Sequence, residues 1–198
     1  RSGMEKGIRN FLASSNIQLI KSVYCDQITH AKDNSYLVKN EYKIKTISIE
    51  AAKQAPDKSF AHIYDMELDQ LVVNIEYQDK GKLIAMCNDG VWKLENGSKQ
   101  KIVDYISGVS KITFSGIELD GYAFRIEEII YGQLDQASNV EITNITSKRT
   151  NLYTLKGVAK EVCCRDNIIA VNIGTEVYFI KTNGWLAKKY VSTQEVKS

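Results

Sequence analysis

Two stretches of this chain repeat one another, and that repetition limits the fold more than any single motif does. Leu83–Gly97 and Ile169–Gly184 share one layout: an apolar strand, a glycine-containing turn, a strand that begins Val-aromatic, and Asn-Gly before another strand. Val91 and Val177 occupy the same place in the two copies and stand 86 residues apart. That spacing is two units of about 43 residues, within the range of blade-type repeats. The pairs Asn96-Gly97 and Asn183-Gly184 suit tight hairpins, because both central residues of a type I′ turn need positive φ.

Between the copies lies a less regular unit. Lys111–Ile117 reads as an inner strand with Tyr122–Ile126 beside it, and Val140–Ile145 alternates with Val140 and Ile142 on one face. Leu152–Leu155 closes that unit, and Glu127–Asn139 reads as a long loop or an extended hairpin. Trp185-Leu186 opens a last strand running to Tyr190. The first unit offers Tyr36–Val38, Tyr42–Ile49 and Ala61–Tyr64 as strands, with one helical turn over Glu50–Ala55 before Pro56. Met4–Ser14 reads as a short helix weakened by Gly7. The expectation is an all-β, β-propeller-like array of about four four-stranded antiparallel blades, spanning 17–68, 69–107, 108–157 and 158–191. Residues 1–16 form a tag remnant (Arg1-Ser2-Gly3 before Met4) and an N-terminal segment.

A lone four-stranded sheet leaves both faces bare, so blades stack on neighbours. Closed propellers have four to eight blades. Four is the lower limit, so the reading favours part of a larger ring, whose open ends are expected to self-associate.

Composition agrees. The chain has one proline, 11 tyrosines and abundant β-branched residues, which favour strands. Its 26 basic and 24 acidic residues are interspersed, so no face suited to nucleic acid stands out. Runs such as Ile168–Val171 are far shorter than the roughly 18 apolar residues of a membrane span.

The segment from about Tyr64 to Ser198 resembles an uncharacterised family of clostridial membrane-anchored propeller proteins, related to quinoprotein-like and WD40-like repeats. The likeness rests on His62–Asp65, Lys82–Cys87, Asn167–Ile173 and Glu176–Trp185; Tyr190–Lys197 looks like the lead-in to a further blade. The resemblance implies an extracytoplasmic propeller held by one transmembrane helix, with that helix and further blades outside this chain. It implies no activity.

The sequence yields no catalytic residue, metal site or cofactor. The vicinal pair Cys163-Cys164 invites comparison with the vicinal disulfide of quinoprotein dehydrogenases. Adjacent strand residues point to opposite faces, however, so these two, like Cys25 and Cys87, read as buried free thiols. Asp65, Glu67 and Asp69 lack the turn glycine of a calcium loop. Glu127-Glu128 reads as a surface pair, and His30 and His62 have no nucleophile signature nearby. The sequons Asn96-Gly-Ser98 and Asn144-Ile-Thr146 fall in hairpin turns. Trp92 and Tyr178 match in position, which suggests a shared packing role between sheets. Trp185, after its turn, is the candidate binding residue. The reading is a non-enzymatic interaction module for a protein, peptide or cell-wall glycan. The alternative is a hydrolase or quinoprotein-like oxidoreductase with its site at the central channel.

Overall fold

In the computed structural model, which describes residues 2–14, 19–55, 64–105, 112–118, 121–131, 135–174, 176–182 and 186–191, the described residues form strands almost throughout. The strands make four antiparallel four-stranded sheets, each with its strands in chain order. By contacts the chain divides into two compact units, residues 1–69 and 70–198.

The first unit opens with helix α1 (Ser2–Ser14), which runs through Gly7, so the helical preference of its neighbours outweighs the glycine. Arg9 pairs with Glu5 one turn earlier in the helix at 3.2 Å and ties the helix to the segment after it by a hydrogen bond to the Leu19 carbonyl at 2.8 Å. The sheet comprises β1 (Gln27–His30), β2 (Ser35–Asn40), β3 (Lys43–Ser48) and β4 (Met66–Glu67). Between β3 and β4 sits α2 (Ile49–Gln54), capped by Ser48, whose hydroxyl accepts the Ala51 N–H. Val38, Ile47 and Ala52 form one buried cluster of this unit. Of the strand expected over Ala61–Tyr64, Ala61–Ile63 lie outside the described residues and Tyr64 is in no strand; the fourth strand of the sheet is the two-residue β4, Met66–Glu67. The text Met-Glu-Leu-Asp carries too few β-branched residues to announce a strand, and pairing with β3 makes it one.

The second unit holds three sheets. The first comprises β5 (Val72–Tyr77), β6 (Leu83–Cys87), β7 (Gly90–Glu95) and β8 (Ser98–Asp104). The next comprises β9 (Ile112–Glu118), β10 (Tyr122–Tyr131), β11 (Asp135–Asn144) and β12 (Thr150–Leu155). The last comprises β13 (Glu161–Arg165), β14 (Ile168–Asn172), β15 (Glu176–Lys181) and β16 (Leu186–Val191). Their first strands lie together, β9 alongside both β5 and β13, which is the inner position expected of 111–117. Within 127–139 the described residues, 127–131 and 135–139, follow the extended-hairpin alternative and continue the pairing of β10 with β11.

Turn chemistry follows the sequence. Asn96 and Gly97 sit at φ 51° and 77°, the two positive values of a type I′ turn. Asp166 and Asn167, at φ 52° and 61°, make the same turn between β13 and β14. Asn183-Gly184 lies outside the described residues.

Two clusters join the sheets of this unit. Ile84, Met86, Val91, Val103 and Tyr105 of the first pack on Ala123 of the second. Phe124, Ile126, Val140, Ile142 and Leu155 of the second pack on Ile169, Val171 and Ile180 of the third. Each such large side chain contributes roughly 1.5–3 kcal/mol on burial. Polar bridges accompany the packing. Ser138 Oγ donates to the Gly157 carbonyl at 2.7 Å and accepts the Ala159 N–H at 2.9 Å. Lys148 Nζ reaches the Ile102 carbonyl.

Gly90 is set where a side chain cannot go. A Cβ there would meet the Val103 carbonyl oxygen at 2.0 Å, a backbone atom that cannot swing aside. Gly90→Ala is therefore expected to destabilise the protein by about 2–3 kcal/mol, as overpacking does, read as a lower urea midpoint with an unchanged slope.

Candidate functional site

Alternation along β10 sends Phe124 and Ile126 toward the last sheet and Ala123 and Arg125 toward the β5–β8 sheet. Arg125 is thereby 3% exposed in the middle of a packed face. Its cross-strand neighbours are Ser115 on β9 and Glu141 on β11, so the three form one row. Arg125 Nε donates to the Glu141 carboxylate. The guanidinium carbon lies 4.2 Å from the centre of the Tyr105 ring, which the chain delivers immediately after β8. The Tyr105 N–H donates to the Asp89 carbonyl at 3.0 Å. The Ser115 carbonyl accepts Asn74 Nδ2 from β5 at 2.8 Å, and its hydroxyl donates to the Phe124 carbonyl at 3.2 Å.

Burial pushes the Tyr105 phenol well above its ordinary value, against smaller opposing effects of Ser115 and Arg125. The Ser115 hydroxyl is close enough to act on the phenol, but its hydrogen bond goes to Phe124, and the Tyr105 hydroxyl itself has no hydrogen-bond partner. The guanidinium is neutralised by Glu141 and the phenol keeps its proton at neutral pH. This cluster clamps two sheets together, and it also fixes the base of the β10–β11 hairpin. β9 pairs with β10 only as far as Glu127, and β12 pairs with β11 only from Ser138 onward. Among the described residues, 129–131 and 135–137 pair solely with each other, as a two-stranded arm.

A second cluster lies on the face of the β5–β8 sheet turned away from Val91. Trp92 Nε1 donates to Asp89 Oδ1 at 3.1 Å, and Lys101 Nζ stands 5.6 Å from the Trp92 ring centre. Lys101 pairs with Asp104 at 3.0 Å and Asp89 at 3.2 Å; the hydrogen bond to Asp104 is the chief reason its ammonium is held above its ordinary value. Tyr178, at the matching position, packs instead on the cluster between the last two sheets. Its hydroxyl donates to Glu176 Oε2 at 2.5 Å.

The other residues singled out from the sequence take structural places. His30 Nε2 contacts the Asp33 carbonyl at 2.8 Å, and its ring meets Tyr36 edge-on. Asp65 accepts the Thr46 N–H at 3.0 Å, which holds the end of the first sheet, and no cluster of three metal-ligating side chains occurs among the described residues. Asn144 Oδ1 accepts two turn N–H groups, those of Thr146 and Ser147. Trp185 and His62 lie outside the described residues. The cysteines need correction: none of the four is in a disulfide, but only Cys87 is buried. Cys163 is exposed and Cys164 packs against the core, the two faces of one strand. Sequence reasoning missed Tyr105, Arg125 and Glu141; the signal was a lone arginine inside the run Tyr-Ala-Phe-Arg-Ile.

No known family's sequence pattern matches this chain, and no curated sequence does. Solved structures do match in fold. An extracellular domain assigned to a hybrid two-component system of B. thetaiotaomicron superposes with a TM-score of 0.59 at 13% identity, over 86% of this chain and 23% of that one. BBS1N, solved in complex with ARL6DN, gives 0.56 at 10% identity over 83% and 51%. The N-terminal domain of Nup159 gives 0.51 at 6% identity over 88% and 46%. The chain thus spans from 23% to 51% of the length of these structures, and the likeness establishes a propeller-type fold.

Glu141→Ala strands the buried Arg125 charge and is expected to cost about 3–5 kcal/mol in urea unfolding. Tyr178 is pushed up to about 12, first by burial and then by Glu176, from 10.0 for a free phenol. Its stabilising contribution is complete below pH 10 and is lost as pH rises through about 12. Thermal melts over that window should fall less steeply for Tyr178→Phe than for the parent.

Proposed function

We propose that this chain is part of a propeller-type interaction module without catalytic activity, which binds a protein, peptide or cell-wall glycan at its exposed surfaces. The observation that carries the reading is the division of labour around Arg125. The buried polar groups are spent on joining sheets, while the β10–β11 arm reaches past its flanking strands. A rigid base with a hairpin that extends beyond its flanking strands suits recognition. Trp185 follows Asn183-Gly184, which repeats the Asn96-Gly97 text, and is the aromatic assigned to the contact surface.

We infer that the full-length protein lies outside the cytoplasm, anchored by a membrane helix beyond this chain. Two things support this: the sequence resemblance to a membrane-anchored propeller family, and the fold likeness to an extracellular domain. No helix among the described residues is long and apolar enough to cross a membrane.

The test is titration of the purified protein with solubilised cell-wall glycan, followed by tryptophan fluorescence and calorimetry. Saturable binding that weakens at least about tenfold in Trp185→Ala, with the melting temperature unchanged, is the expected result. Full affinity in the variant removes Trp185 from the surface. An absence of glycan binding confines the partner to proteins and peptides.

A further inference from the structure

We propose that a water molecule is built into the interface between the β5–β8 and β9–β12 sheets, hydrogen-bonded to Tyr105 Oη and Arg125 Nη1. Both atoms are buried and neither has a hydrogen-bond partner, although the residues that carry them are 5% and 3% exposed. Buried polar atoms are almost always satisfied, and leaving one unmet is costly. Two such atoms on residues in direct contact, a guanidinium 4.2 Å from a phenol ring, mark one small polar spot inside a packed interface.

The chemistry of the spot selects water. Arg125 only donates, and its charge is already met by Glu141. A second anion would sit buried beside that carboxylate, which is strongly unfavourable. A neutral acceptor is needed that also serves a phenol, and water accepts from the guanidinium while giving or taking a proton bond with the hydroxyl. Buried waters typically have about three protein partners. Ser115, in the same cross-strand row as Arg125, supplies the third group nearby. The water then completes a polar line from Asn74 through Ser115 to Arg125 and Glu141, linking β5, β9, β10 and β11.

A crystal structure that resolves ordered solvent tests this directly. A peak within hydrogen-bond distance of both Tyr105 Oη and Arg125 Nη1 is expected; an interface with no peak, or one in which the two atoms bond to each other or to protein groups, overturns it. Tyr105→Phe gives the solution counterpart, since it keeps the ring under the guanidinium and removes only the hydroxyl. If the water is there, the melting temperature falls by about 2–4 °C, the shift expected for one lost hydrogen bond in a chain of this size. If the hydroxyl is an orphan, the variant melts at or above the parent, which overturns the proposal. The same change made in a Ser115→Ala background separates the two possible partners. The loss shrinks but remains when the water is the partner and disappears when the serine hydroxyl is.

Discussion

Everything in the second unit follows from the need to cover a four-stranded sheet on both sides. Such a sheet is too narrow to curl over itself and too apolar to leave bare. The β9–β12 sheet meets this demand with two unlike faces. Phe124, Ile126, Val140 and Ile142 build a dry contact with the last sheet. The other face mixes Ala123 with the row Ser115, Arg125 and Glu141 against Tyr105. Strand alternation, which on an ordinary two-layer protein separates core from solvent, here separates one neighbour from another.

Placing an arginine inside a packed face demands exact company. The carboxylate of Glu141 and the ring of Tyr105 supply charge and surface for a group that would otherwise destabilise the contact. Since Glu141 and Arg125 lie on the paired strands of one hairpin, and Tyr105 comes from the preceding sheet, the pair fixes the hairpin and the joint together. Gly116 takes part from the opposite side of the same hairpin. A Cβ there would touch the Phe124 ring at 2.6 Å, so the glycine lets that ring lie across β9 and reach the dry contact.

The repeating parts of the fold were legible in the sequence because they depend on neighbours close in the chain. The Leu83–Gly97 text and its Asn96-Gly97 turn specify a hairpin locally, and the structure has it. Val140 and Ile142 are 0% and 1% exposed, as their alternation suggests. The Arg125 cluster was not legible, since it joins residues from three strands and a connection, and a lone arginine in a strand reads as solvent-facing. The burial of Cys163 was misjudged for a related reason. An apolar run such as Val-Cys-Cys marks a strand but does not say which face has a neighbour. Met66–Glu67 shows the limit for short strands, where pairing partners outweigh composition.

The placement of the thiols gives the protein a built-in clock for its own opening. Cys163 is open to a reagent at all times, Cys164 sits half-covered against the core one residue along, and Cys87 is 0% exposed in a strand buried along its whole length. Modification at the first proceeds at the intrinsic chemical rate, while at the last it waits for that buried strand to be uncovered. The ratio of those two rates measures how often the strand becomes accessible.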